Sequence, residues 1–195
     1  MKRFFHAVWL TLFVAFVSGC AHPISLTGDV ASLAGTGKAK IDKAIGLNIT
    51  EDNRKLEVTG PGGGGDKVRY QPYRDIETGL YVALSESFSR VARINGPTDP
   101  KVKAETLNFV LTPSMATTSF SPSLFTWPPT IFTIELTCKI SDPEGKPVTE
   151  VRAMGEGRAE FDEFKADFSL SAKRAADDVL KKLVKAIGEA AALLR

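Results

Sequence analysis

The chain has 195 residues, 43% of them hydrophobic and 25% charged, enough apolar material for one domain core. Its formal charge of +2 is carried by Lys2 and Arg3; beyond residue 19 there are 23 basic and 23 acidic residues. A charge-balanced body without a basic run argues against an electrostatic nucleic-acid binder. Two cysteines and two histidines leave little material for metal or thiol chemistry.

Residues 1–19 have the three parts of a secretory signal. Lys2 and Arg3 form a positive start, Phe4 to Val17 an apolar stretch interrupted by His6 and Thr11, and Ser18-Gly19 a small-residue end. At about 1.5 Å per helical residue the stretch is short for a ~30 Å hydrocarbon core. Val17-Ser18-Gly19-Cys20 resembles the lipobox of bacterial lipoproteins, with Val in place of the common Leu. The resemblance implies that the Cys20 thiol receives a diacylglyceryl group, that the leader is cut before it, and that the new amine is acylated. Several acyl chains, at about 0.8 kcal/mol per buried methylene, make a stable membrane anchor. Ala21 stands where an Asp would retain such a protein in the inner membrane. The implied address is therefore the outer membrane, lipid-anchored, with the body in the periplasm.

Residues 20–40 are small and polar, with Gly28, Gly35 and Gly37, and read as a lipidated flexible tether. Gly35-Thr36-Gly37-Lys38 lacks the spacing of a phosphate-binding loop. A single α+β domain is expected over 41–195. Its first strand is Ala44–Thr50, where Ile45, Leu47 and Ile49 alternate with polar or small residues. A second alternation at Leu56 and Val58 runs into Gly60-Pro-Gly-Gly-Gly-Gly65, a loop tip of maximal chain entropy. Asp75 can cap a helix in which Ile76, Leu80, Leu84, Phe88 and Val91 recur at four and three residues, ended by Asn95-Gly96-Pro97.

Two further strands are expected over Ala104–Thr112, continued by Met115–Phe120, and over Ile131–Ser141. In the latter, Phe132, Ile134, Leu136, Cys138 and Ile140 share one face. Cys138 is the one thiol left after processing at Cys20, and reads as a buried small hydrophobe. Asp142-Pro143-Glu144-Gly145 has the type I turn pattern and predicts a hairpin into a strand within Pro147–Phe161. There Gly155 and Gly157 suggest a bulge or close backbone approach. The final helix places Ala176, Leu180, Leu183, Ile187, Ala190 and Leu194 at four-three spacing, opposite a charged face. It reads as a helix on a sheet, or as a seam for self-association.

The expected architecture is an antiparallel-rich sheet of about four strands with two helices packed on one face. Over roughly 44–194 this order, with Ile45–Thr50 followed by the helix from Asp75 and the amphipathic ending, resembles small envelope lipoproteins whose fold is similar to the TolB amino-terminal domain. That group includes YajG-type lipoproteins, the curli-secretion lipoprotein and the lipoprotein activator of a peptidoglycan synthase. The long alternating inserts with which the curli-secretion lipoprotein forms a barrel are missing, which argues against a pore.

The segment from Ser119 to Pro129 sets Phe120, Leu124, Phe125 and Trp127 among prolines between two strands. It reads either as a lid over the core or as a contact for a partner protein or the lipid interface. Asp75, Glu77, Glu86, Glu135, Glu156 and Glu160 form no recognisable paired or metal-binding spacing. No catalytic residue, metal or cofactor is assigned; a carboxylate-dependent hydrolase is the competing class. The expectation is a non-catalytic binding or accessory module in envelope assembly, transport or maintenance. Its partners would be the membrane, through acyl chains on Cys20, and an envelope protein, with an oligomer possible and no nucleic acid. The alternative is a structural, self-associating lipoprotein using the C-terminal helix.

Overall fold

The computed structural model describes residues 21–37, 39–62, 66–122 and 129–195. In chain order these form β1 (Ala21–Pro23), a 3-10 turn (Val30–Leu33), β2 (Ile41–Asn48), α1 (Glu51–Lys55), β3 (Val58–Pro61), β4 (Lys67–Tyr70), α2 (Pro72–Ser87), β5 (Phe88–Ile94), α3 (Lys101–Ala104), β6 (Phe109–Phe120), β7 (Ile131–Ser141), β8 (Pro147–Arg158), α4 (Phe161–Phe164) and α5 (Leu170–Glu189). The fold is α+β. A five-stranded sheet has the order β5-β2-β6-β7-β8, and a small sheet the order β1-β4-β3. The large sheet is mixed: β2 runs parallel to β5 and β6, whereas β6, β7 and β8 are antiparallel neighbours. The sequence suggested about four strands, and the fifth is β5.

The alternation in β7 does what its period predicts. Phe132, Ile134, Leu136, Cys138 and Ile140 are all buried on the inner face. Phe132 meets Tyr70 of β4 edge to face at 5.4 Å, which joins the small sheet to the large one. The hairpin to β8 turns at Asp142–Gly145. Gly145 takes φ +88°, and its N–H donates to the Asp142 carbonyl at 3.0 Å. Strand β6 runs through Pro113 because β2 pairs with it only from Phe109 to Leu111, so the proline lies beyond that ladder.

The helix expected to continue through Phe88 and Val91 ends at Ser87. Phe88 adopts extended angles (φ −122°, ψ 154°) while its N–H still donates to the Leu84 carbonyl. Strand β5 then pairs in parallel with β2, from Ile41↔Phe88 to Asn48↔Ile94. Phe88, Ala92 and Ile94 are buried there. Helix periodicity and strand alternation overlap over Phe88–Ile94, and the long-range pairing with β2 decides between them.

Helices α2 and α5 pack on the inner face. The seam of α5 is consumed within the chain: Ala172, Ala175, Ala176, Val179, Leu180, Leu183, Val184 and Ile187 are buried. Its backbone lies directly on β8, because Gly155 and Gly157 offer no side chain. A Cβ at Gly157 would collide with the Ser171 carbonyl and the Ala175 amide, and one at Gly155 with the Ala175 carbonyl and the Val179 amide. The outer face divides in two. Over β5, β2 and the start of β6, the segment carrying α3 covers a second small core of Ala44, Ala92, Ile94, Val102, Leu107 and Val110. Over the rest of β6, β7 and β8 it is open, with Thr112, Ser114, Ala116, Thr118, Glu135, Lys139, Arg152 and Met154 exposed.

Residues 21–37 depart most from expectation. Instead of a flexible tether, they form β1, paired with β4 at Ala21↔Lys67, His22↔Val68 and Pro23↔Arg69, and then a strap across α2 and α5. Leu26 and Leu33 are fully buried under it, each contributing roughly 2 kcal/mol of apolar burial. Four of its backbone N–H groups end on helix side chains: Ser25 on Ser169 Oγ (3.0 Å), Leu26 on Asp75 Oδ2 (3.1 Å), Asp29 on Asp177 Oδ1 (2.7 Å) and Gly35 on Glu86 Oε2 (2.9 Å). Asp75, read as a helix cap, serves as an acceptor for the strap.

Desolvation raises the pKa of Asp75 above its ordinary value, against the opposing hydrogen bond from Leu26. A carboxyl whose folded pKa is raised favours folding while protonated, and that contribution is lost as pH rises from about 3.8 through the folded value. Asp75→Asn retains the acceptor oxygen without the charge. Its stability relative to the parent is therefore expected to increase with pH across that window and then level off, whereas Asp75→Ala should lose about 1–3 kcal/mol at neutral pH. Urea unfolding at a series of pH values reads both. The same assay tests the α5–β8 contact, where Gly157→Ala is expected to cost about 3 kcal/mol.

Candidate functional surface

The residues singled out as a site divide between described and undescribed positions. Cys20, Leu124, Phe125 and Trp127 lie outside the described residues. Phe120 ends β6 with 56% of its surface exposed, so its ring does not fold back as a lid. The Phe120↔Ile131 pair closes the β6–β7 ladder, and Ile131↔Arg158 extends the row to β8. One residue before Phe120, the Ser119 hydroxyl donates to the Pro61 carbonyl of β3. Tyr70 and Thr117 share a further hydroxyl hydrogen bond at 2.7 Å. The end of β6 is therefore fastened to the small sheet, and through Pro61↔Lys67 and Lys67↔Ala21 to the start of β1.

The chemistry-bearing side chains are dispersed. Cys138 is fully buried, and desolvation pushes its thiol up to about 12, which removes the thiolate at neutral pH. Each of the carboxylates considered for catalysis has a place of its own. Asp75 and Glu86 hold the strap. Glu77 accepts both 2.8 Å hydrogen bonds of a fork from Arg54, which holds its carboxyl below the usual range. Glu135 sits exposed on the outer sheet face. Glu156 pairs with Arg158 at 2.7 Å, and Glu160 caps α4. Among the described residues, no three His, Cys, Asp or Glu side chains converge as metal ligands. A cleft of about 470 Å³ lies between the end of the strap and the last turns of α5, lined by Thr36, Gly37, Glu86, Lys185 and Arg195. No helix among the described residues is long and apolar enough to cross a membrane.

An open sheet edge can recruit an extended peptide, and the large sheet has two edges, β8 and β5. Side chains occupy much of both. On β8, Arg174 donates to the Arg158 carbonyl (2.7 Å), Asp178 accepts from the Glu156 N–H (3.0 Å), and Lys182 donates to the Met154 carbonyl (3.0 Å). These three residues are spaced by four along α5, so one stripe of the helix caps alternate residues of the strand. On β5, Tyr81 donates to the Val91 carbonyl (3.4 Å) and Lys101 to that of Arg93 (3.2 Å). The charged face of α5 thus includes the stripe that closes the β8 edge. The i, i+4 spacing of Arg174, Asp178 and Lys182 was visible in the sequence, but their strand partners were not. The combined Arg174→Ala, Asp178→Ala and Lys182→Ala variant should keep its helix content and elute earlier than the parent on size exclusion as the uncapped strands pair.

No protein-family model matches the chain, and no curated protein matches it. Among solved structures, a Xanthomonas campestris protein of the DUF330 family is similar at 12% identity and a TM-score of 0.49, over 89% of this chain and 93% of that one. A minor lipoprotein from Acinetobacter baumannii is similar at 14% identity and a TM-score of 0.43, over 76% and 94%. A PelC dodecamer from Paraburkholderia phytofirmans is similar at 14% identity and a TM-score of 0.39, over 72% and 91%. The likeness is one of chain course to bacterial proteins that include lipoproteins.

Proposed function

We propose that the chain is a lipid-anchored envelope protein, cut before Cys20 and acylated there, that serves as a non-catalytic binding or accessory module in envelope assembly, transport or maintenance. The observation that carries this reading is Val17-Ser18-Gly19-Cys20 at the end of an apolar leader, followed at once by a folded body that begins at Ala21. The chemistry of the motif needs a thiol as lipid acceptor and small residues before it for the processing enzyme. Ala21 after the cysteine favours the outer membrane, with the body in the periplasm.

The binding role is supported by what the polar groups do. Carboxylates that could act as acids or bases hold the strap, pair with guanidinium groups or cap a helix, and the buried thiol is held neutral. Among the described residues, the exposed outer face of β6, β7 and β8 carries Thr, Ser and charged side chains, a surface suited to contact rather than turnover. The helix seam proposed for self-association is buried inside the fold, so an assembly of this protein would use another surface.

Intact-mass measurement of the protein purified from membranes checks the anchor. The expected species begins at Cys20 with diacylglyceryl and acyl additions, and Cys20→Ser should leave the membrane fraction with its fold unchanged. A mature chain beginning elsewhere, or without the additions, would overturn the reading.

A further inference from the structure

The strap and the small sheet determine how an acyl anchor would hold the body. A flexible segment of twenty residues would let its load wander by about 25 Å. Here the residue after Cys20 is already paired: Ala21 lies opposite Lys67, and the His22 imidazole is 3.6 Å from the Asp66 carboxylate. From Ala21 across Lys67 to Pro61 is two strand spacings, about 10 Å, and Pro61 is bonded to Ser119. The start of β1 and the exposed Phe120 ring therefore belong to one end of the molecule. The row Phe120↔Ile131↔Arg158 gives that end an aromatic ring, a half-buried aliphatic and a guanidinium, the last ion-paired with Glu156 at 2.7 Å on the rim, and Lys67 adds an exposed ammonium.

We propose that this end rests directly on the bilayer, with the Phe120 ring inserted among the lipid headgroups and Lys67 and Arg158 beside anionic phosphates. The inference rests on the acylation of Cys20. Its occupant is the lipid surface, because the leader ends one residue before the paired strand and leaves no slack for the body to stand away. An aromatic ring flanked by cationic side chains is the composition that settles at a membrane interface. The consequence is a fixed pose. The hairpin at Asp142–Gly145, at the opposite end of the β6–β7 ladder from Phe120, points away from the membrane.

The test uses the full, processed chain in vesicles of phosphatidylethanolamine and phosphatidylglycerol, with a fluorophore on Phe120→Cys or on Glu144→Cys. Cys138 is buried and Cys20 is acylated, so neither competes for label. The expected result is loss of iodide quenching at position 120 on reconstitution, together with quenching by bromine-labelled lipid. Position 144 should stay open to iodide and untouched by the lipid. Equal iodide access at both positions in a sample whose mass carries the acyl groups would overturn the pose and leave the anchor standing. Shielding at 120 without lipid quenching would also overturn it, and would assign that end to a second copy or a protein partner. A mass lacking the acyl groups would remove the anchor and the pose together.

Discussion

The strap depends on one kind of contact: backbone N–H groups of an irregular segment received by side chains of two helices. Within residues 24–35 the 3-10 turn and the pairing of the Ile24 N–H with the Arg69 carbonyl satisfy part of the donors, while Leu26 and Leu33 take the segment into the interior. Of the four amides received by side chains, those of Ser25 and Leu26 are part-buried and would each cost about 1–3 kcal/mol without an acceptor, whereas those of Asp29 and Gly35 are exposed. Ser169, Asp75, Asp177 and Glu86 supply those acceptors. By receiving the same segment, α2 and α5 are clasped together as well as packed on the sheet. Gly28 is part of the arrangement, since a Cβ there would strike the Asp177 carboxylate. The charge needed to hold the strap is itself desolvated at Asp75 and Asp177, so the clasp opposes burial with hydrogen bonding.

The exposed surface follows from what the helices and loops cover. Both helices lie on the inner face, α3 and its flanking segments cover the β5–β2 half of the outer face, and α5 reaches around to the β8 edge. Two regions stay available: the outer face of the three long antiparallel strands, and the end where β1, β3, β4 and β6 converge. They differ in chemistry. The strand face carries hydroxyls and charged side chains, whereas the convergent end adds the exposed Phe120 ring and the Lys67 ammonium. A contact role divided between a protein partner and a lipid surface would use both.

Much of this was legible in the residues, for identifiable reasons. Strand β7 and its hairpin carry a period of two and a Pro-Gly turn, local signals that no distant contact has to decide. The glycines of β8 announced a close backbone approach, and the structure supplies the neighbour, α5. Phe88–Ile94 was misread because its apolar spacing serves a helix and a strand equally well; only pairing with the distant β2, from Ile41↔Phe88 to Asn48↔Ile94, distinguishes them. The strap was misread for a different reason. Small, polar, glycine-bearing sequence is the composition of a loose linker, and what orders it is a set of acceptors about fifty and one hundred and fifty residues downstream. Phe120 stood out in the sequence as an aromatic among prolines, but its closeness to the start of β1 arises from a three-stranded sheet whose β4 strand is too short to show a pattern.

Were the chain held at a membrane as proposed, the stripe of Arg174, Asp178 and Lys182 would bear on its crowding there. Proteins confined to a plane meet one another far more often than the same number free in a volume, always in similar orientations, and a bare twelve-residue strand would then be a template for sideways fusion. A helix that lends every fourth side chain to the neighbouring strand turns that border into one already occupied, so crowding in two dimensions need not become polymerisation.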